Sequence, residues 1–175
     1  GNSKELLQSD IDEIIIKPVN IHNTAGVLRK VIAGKEKKKL LTGESSILFI
    51  DDEKDVIDIN TFLLEKLGYK VTGIDNAQKG LELFKKNPSQ FDLVITDYMM
   101  PDMTGIELSE EIKKIRHDIL IILCSGYSEN LNMEKVKMAG IKKFLQKPLN
   151  IYTLSTSIQD VIQASKKEQE EIDKL

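Results

Sequence analysis

Three short runs in this chain, ILFI at 47–50, LVIT at 93–96 and ILIILC at 119–124, are almost unbroken in apolar residues. Each is long enough for a strand and too short for a buried helix, and an unbroken run suits a strand covered on both faces. Between them lie stretches with helical periodicity. The order expected from residue 46 onward is strand 46–51, helix 54–67 ending at Gly68, strand 69–74, helix 76–86 closed by Asn87-Pro88 and strand 91–97. Helix 104–115, strand 119–124, helix 129–139 ending at Gly140, strand 142–146 and helix 150–165 complete it. Regular alternation of this kind predicts an α/β fold, a doubly wound parallel sheet with right-handed crossovers and helices on both faces. The run YKVTGI at 69–74 is more polar and is expected at an edge.

Composition narrows the function classes. The chain has 175 residues, 41% hydrophobic and 30% charged, with a net charge of −3, so no basic face points to nucleic acid. The one lysine cluster, Lys35 to Lys39 with Glu36 inside it, reads as a solvated linker. No apolar stretch approaches the roughly 18 residues needed to cross a bilayer, so no membrane contact is expected of this segment. The single cysteine, Cys124, sits in the most apolar run and suits core packing in a reducing compartment; a cytoplasmic location is expected.

Ligands of open parallel sheets bind beyond the carboxyl ends of the strands, and there the sequence concentrates its reactive groups. Asp51 and Asp52 follow the first strand, Asp97 ends the third, Ser125 follows the fourth, and Lys147-Pro148 follows the fifth. Taken alone, Asp51 or Asp52 would be read as a helix N-cap, a lone Asp97 as the start of a turn, and a lone Lys-Pro as a surface turn. Together they imply a conflict. Like charges at ~4 Å repel by about 4 kcal/mol at an effective dielectric near 20. A divalent cation resolves it, and magnesium, which takes one or two carboxylates and keeps several waters, suits such a cluster.

This constellation resembles the receiver domain of two-component signalling over residues 46–165. The resemblance implies a flavodoxin-like fold with five strands in the order 2-1-3-4-5. It implies that Asp97 accepts a phosphoryl group from a phosphohistidine, with Asp52 and Asp97 binding magnesium directly, Asp51 partly through water, and the Met99 backbone carbonyl completing the protein ligands. A carboxylate is a weak nucleophile that forms an acyl phosphate when a metal and a lysine neutralise the transferring group, and Lys147 is the matching lysine, before a Pro148 that the family carries in cis. Ser125 would donate its hydroxyl to the phosphate, Gly126 would leave room for it, and Phe144 would turn inward behind the moving hydroxyl. Gly105 matches the family's turn glycine. The implied partners are a histidine kinase or histidine phosphotransfer domain, and a second copy is expected either through the face formed by 129–139, 142–146 and 150–165 or through the N-terminal segment 1–33. A bacterial hybrid sensor kinase or a tandem-receiver protein is the expected parent. Two rivals stand beside this reading: a haloacid-dehalogenase-like phosphatase, whose motif needs Asp-x-Asp where this chain has adjacent acids followed by Glu53, and a receiver-like interaction module that is never phosphorylated.

Other residues carry less. His22 and His117 are far apart in sequence and make no zinc pattern. Met99, Met100 and Met103 belong to the loop after Asp97, and no glycine-rich phosphate loop argues for direct ATP use.

The chain also resembles itself. At an offset of 130, residues 11–32 align with 141–162, with seven of 22 positions identical, among them Lys17/Lys147, Pro18/Pro148 and Asn20/Asn150. Residues 1–33 are therefore expected to hold the last strand and helix of a preceding receiver-like domain, 34–45 a linker, 46–165 the receiver, and 166–175 a charged tail or an extension of the last helix.

Overall fold

The computed structural model describes residues 40–126 and 132–174. The expected N-terminal remnant, the first part of the linker and the first residues of the expected helix 129–139 lie outside the described residues. Five parallel strands form one sheet in the order β2-β1-β3-β4-β5. They are β1 (Ser46–Ile50), β2 (Lys70–Ile74), β3 (Leu93–Asp97), β4 (Leu120–Ser125) and β5 (Lys143–Gln146). The helices are α1 (Lys54–Lys66), α2 (Ala77–Lys86), α3 (Gly105–Ile115), α4 (Met133–Met138) and α5 (Ile151–Ile172). As expected, the apolar runs are the central strands: β3 and β4 are buried throughout, whereas β2 is only partly covered at its edge.

Helix boundaries follow local chemistry. The Asn76 side chain caps α2 by accepting from Lys79 N–H at 3.0 Å, and Thr104 and Glu107 form a capping box at the start of α3. Asn150 caps α5, accepting from Tyr152 N–H at 2.9 Å. Two chain reversals use glycine in the left-handed region, Gly68 at φ 94° and Gly140 at φ 73°, where a Cβ is disfavoured. Two expectations shift. α4 begins at Met133 because Asn132 accepts from the backbone N–H groups of Glu134 and Lys135. α5 runs past the expected end at 165 to Ile172, so of the two forms expected for the charged stretch it is the helix extension that is observed.

One face of the sheet packs Leu81 and Phe84 of α2, Leu108 and Ile112 of α3 and Val136 of α4 against Leu48, Val94 and Ile121. Residues 40–45 are tied to this domain: Gly43 N–H donates to Leu67 O at 3.1 Å, and the Gln159 amide donates to Thr42 O at 3.0 Å.

Candidate functional site

Register sets which strand ends meet. Ile50 pairs with Thr96, so the next residues, Asp51 and Asp97, stand level across neighbouring strands. Asp97 pairs with Cys124, which pairs in turn with Leu145. Lys147 therefore lies two residues beyond the level of Asp97, a gap that a four-carbon stem can span back across. It does so: the Lys147 ammonium is 2.7 Å from Asp97 Oδ1 and 2.8 Å from Asp51 Oδ2. Both carboxylates are buried, Asp51 at 1% exposure and Asp97 at 6%.

Each remaining oxygen has a donor. Asp51 Oδ1 accepts from Glu53 N–H at 3.0 Å, and Asp97 Oδ2 accepts from Met99 N–H at 2.8 Å. Backbone donors of this kind favour the ionised carboxylate. Burial nonetheless pushes the Asp51 carboxyl above the usual carboxylate range, against the lowering pull of Lys147 and the Glu53 N–H. Desolvation works to lower the Lys147 amine, but its hydrogen bonds to Asp51 and Asp97 outweigh this and hold it above the ordinary lysine value. The two shifts favour opposite charge states of one contact. One ammonium shared by two buried carboxylates meets more attraction than either carboxylate does, so the pairing prevails over desolvation at Lys147 while burial prevails at Asp51.

The other expected residues take distinct places. Ser125 is buried at the end of β4, and its carbonyl accepts from Lys147 N–H at 2.8 Å, which ties the serine strand to the lysine turn. The Lys147-Pro148 bond is cis. Asp52 is exposed beside the triad. A Cβ built on Gly126 meets nothing within 4 Å, whereas one on Gly105 would strike the carbonyl oxygen of Asp97. Gly105 is thus required by close backbone approach, and its N–H donates to Tyr98 O at 2.9 Å, folding the loop back against the strand end. Phe144 is half-buried and packs against the core cluster that contains the α2, α3 and α4 faces.

Glu53 was missed by sequence reasoning. Its carboxylate lies 3.7 Å from Lys147, and it is the N-cap position of α1 without a side-chain cap bond. The third acid in Asp-Asp-Glu was the available signal, but an exposed acid at a helix start is equally well explained by the helix dipole.

The donors are hard oxygens: Asp51, Glu53 and Asp97 converge on one lysine, and exposed Asp52 follows Asp51 in the chain. Among the described residues no three His, Cys, Asp or Glu side chains are grouped as a ready-made metal site. The donor set still fits magnesium, which needs only one or two carboxylates with water and phosphate oxygens as its other ligands.

Comparison with known proteins agrees with this geometry. Residues 47–159 match the response regulator receiver domain family, and the chain belongs to that family. It is 36% identical over 120 residues to the two-component response regulator ARR10 of Arabidopsis thaliana, covering 69% of this chain and 22% of that protein. It is 29% identical over 136 residues to the sensor kinase CckA of Brucella abortus, covering 75% of this chain and 14% of that one. The chain thus spans about a fifth or less of the length of these relatives, and because they include plant proteins the likeness does not select a bacterial source. Among solved structures, a response regulator receiver domain protein from Clostridium thermocellum matches with TM-score 0.66 and 34% identity, over 70% of this chain and 97% of that one. A CheY-like receiver domain protein from Methanospirillum hungatei matches with TM-score 0.66 and 31% identity, over 72% and 99%. No described helix is long and apolar enough to cross a membrane.

Proposed function

We propose that this domain is a phosphoryl-accepting switch in which Asp97 takes the phosphoryl group of a phosphohistidine on a histidine kinase or histidine phosphotransfer domain. The observation that carries the proposal is the buried Asp97–Lys147–Asp51 triad at the carboxyl edge of the sheet. A carboxylate oxygen of Asp97 forms the new P–O bond as the P–N bond to the donor histidine breaks, and the imidazole leaves with the electron pair. Lys147 holds Asp97 in place beforehand, and its ammonium then balances charge on the transferred oxygens. The Ser125 hydroxyl and the open space beside Gly126 receive one of those oxygens.

Receiver domains generally depend on magnesium. Here Asp52 and Asp97 would ligate it, with Asp51 through water and the Met99 carbonyl. When bound it supplies electrostatic stabilisation of the transferring group. The switch half of the proposal has Ser125 drawn toward the phosphoryl group and Phe144 turning inward behind it. That movement would remodel the face of α4, β5 and α5, where a partner or a second copy would bind.

Intact mass after incubation with acetyl phosphate and magnesium tests the proposal. One added phosphoryl group is expected, absent without magnesium and absent in Asp97→Asn. An unchanged gain in Asp97→Asn removes the assignment. No gain in the native protein under any donor favours the interaction-module reading.

A further inference from the structure

Asp51, Asp52 and Asp97 each have a role in phosphoryl acceptance, and Glu53 is left without one. Its Oε1 lies 3.7 Å from the Lys147 ammonium, outside hydrogen-bond reach, so the attraction between them is electrostatic alone. The nearer partners of that lysine are Asp97 at 2.7 Å and Asp51 at 2.8 Å. Burial separates these acids. Asp51 and Asp97 are buried, whereas the Glu53 side chain is 68% exposed and that of Lys147 is 17% exposed. Glu53 therefore stands on the solvent side of the ammonium, with the two buried carboxylates behind it. A phosphoryl donor reaches Asp97 from that same side and meets the Glu53 charge on the way.

Helix chemistry does not account for the placement of this carboxylate. Glu53 is the N-cap residue of α1, yet its side chain makes no cap bond. The loop is held by its backbone: the Glu53 N–H donates to Asp51 Oδ1 at 3.0 Å, and its carbonyl accepts from the N–H groups of Val56 and Ile57 at 3.0 and 3.1 Å. The carboxylate can thus be replaced without breaking a bond that shapes the loop. Apart from a weak interaction with the α1 dipole, the replacement removes one charge at the mouth of the site.

We propose, resting on the reading of Asp97 as phosphoacceptor, that Glu53 selects the phosphoryl donor by its charge. An exposed carboxylate acts through high-dielectric water, so its repulsion of an approaching anion changes a rate a few-fold, grows with the charge of the anion and fades with salt. Acyl phosphates such as acetyl phosphate are dianions at neutral pH. Phosphoramidate carries a protonated nitrogen on its phosphorus and is a monoanion. Glu53 accordingly disfavours acyl phosphates relative to donors whose phosphoryl group sits on a protonatable nitrogen, the class that includes phosphohistidine. In both reactions a P–O bond forms to a carboxylate oxygen of Asp97. Acetate leaves with the electron pair of the broken P–O bond in the first, and ammonia leaves with that of the broken P–N bond in the second.

The test incubates the full chain, saturated with magnesium, with each donor below saturation. The rate constant for gain of one phosphoryl group is read from intact-mass time courses, with peptide mapping to Asp97. At about 0.05 M ionic strength, Glu53→Gln should raise the ratio of the acetyl phosphate rate to the phosphoramidate rate roughly threefold. At about 1 M, where the screening length is about 3 Å, the ratio should return to that of the native protein. Glu53→Asp, which keeps the charge, should stay near the native ratio, and Glu53→Lys should exceed Glu53→Gln. An unchanged ratio in Glu53→Gln overturns the inference, and so does a change that survives high salt, which would report shape. Equal changes with both donors, or a marked fall in the urea midpoint measured without divalent cations, would make Glu53 a structural support of Lys147 and also overturn it. A native chain that takes no phosphoryl group on Asp97 from either donor removes the reading of Asp97 and the donor selection with it. Phosphorylation of Asp97 with no change in the ratio removes the selection alone.

Discussion

The two ends of this sheet hold similar charges and treat them in opposite ways. At the carboxyl end, Asp51 and Asp97 are buried and share one ammonium. At the amino end, Glu44, Asp92, Arg116, Asp118 and Lys166 surround an open hollow of about 600 Å³. There Asp92 accepts from the Ser46 N–H at 2.7 Å, and Arg116 donates to Pro88 O at 2.5 Å while its guanidinium carbon lies 5.9 Å from the Phe84 ring centroid. Asp118, the charge nearest Arg116, is 83% exposed at 3.5 Å. Water can solvate each of those acids. The contrast shows that what makes a reactive edge is charge that cannot be solvated except by one lysine or an incoming cation, since charge itself is plentiful at both ends.

Removing the central cation from each end should break the symmetry most sharply. Lys147→Met leaves two buried carboxylates without their shared partner, and loss of one member of a buried ionic group costs about 3–5 kcal/mol. Urea unfolding in divalent-free buffer should register a fall of that order, partly recovered when magnesium is added. A loss below about 1 kcal/mol would mean that the carboxylates are solvated and that the two ends are electrostatically alike. The same experiment on Arg116→Met should cost about 1–2 kcal/mol, from the lost hydrogen bond and stacking, and magnesium should not change it. A cation-dependent recovery there would contradict the contrast.

A smaller effect is expected from the capping and edge contacts that hold the amino end. Asp92→Ala removes the acceptor of Ser46 N–H and should cost about 1 kcal/mol, read from the urea midpoint, with phosphoryl uptake unchanged. Loss of uptake in that variant would couple the two ends of the sheet.

Much of this was legible in the chain. The buried runs ILFI, LVIT and ILIILC specified central strands because only a doubly covered strand tolerates them, and polar YKVTGI marked the edge. Asp51, Asp97 and Lys147 were legible because strand ends of a parallel sheet share an edge. What stayed hidden depends on distance. Nothing in the sequence separates buried Asp51 from exposed Asp52, since that follows from which of two adjacent residues points inward. The reach of Lys147 to Glu53 depends on the two-residue stagger of β5. The sequence left the stretch after residue 165 open between a charged tail and a helix extension, because KKEQEEI has little apolar periodicity and the contact that ties it down, Lys142 with Glu168, spans 26 residues.

The smallest effect expected is in the pH dependence of stability, and its sign reports on the burial of Asp51. Asp51 has a raised folded-state pKa, caused first by burial. In the window between its unfolded value near 3.9 and its folded value the native state binds more protons than the unfolded chain, so stability from this group rises as pH falls through the window. Lys147 is also raised, so its contribution is fully present below the ordinary lysine pKa and is lost only as pH climbs through the higher folded value. Exposed Asp75, Glu107 and Glu111, lowered by hydrogen bonds to Lys79, Thr104 and Lys114, push the other way on acidification. The informative quantity is therefore the difference between the native protein and Asp51→Asn, measured in divalent-free buffer from neutral pH down to about pH 4, the ordinary carboxylate range. The native protein should gain stability relative to the variant as pH falls. A difference that stays flat, or one that shrinks, would mean that burial does not hold the Asp51 carboxyl up and would remove the electrostatic reason for a cation at the carboxyl edge.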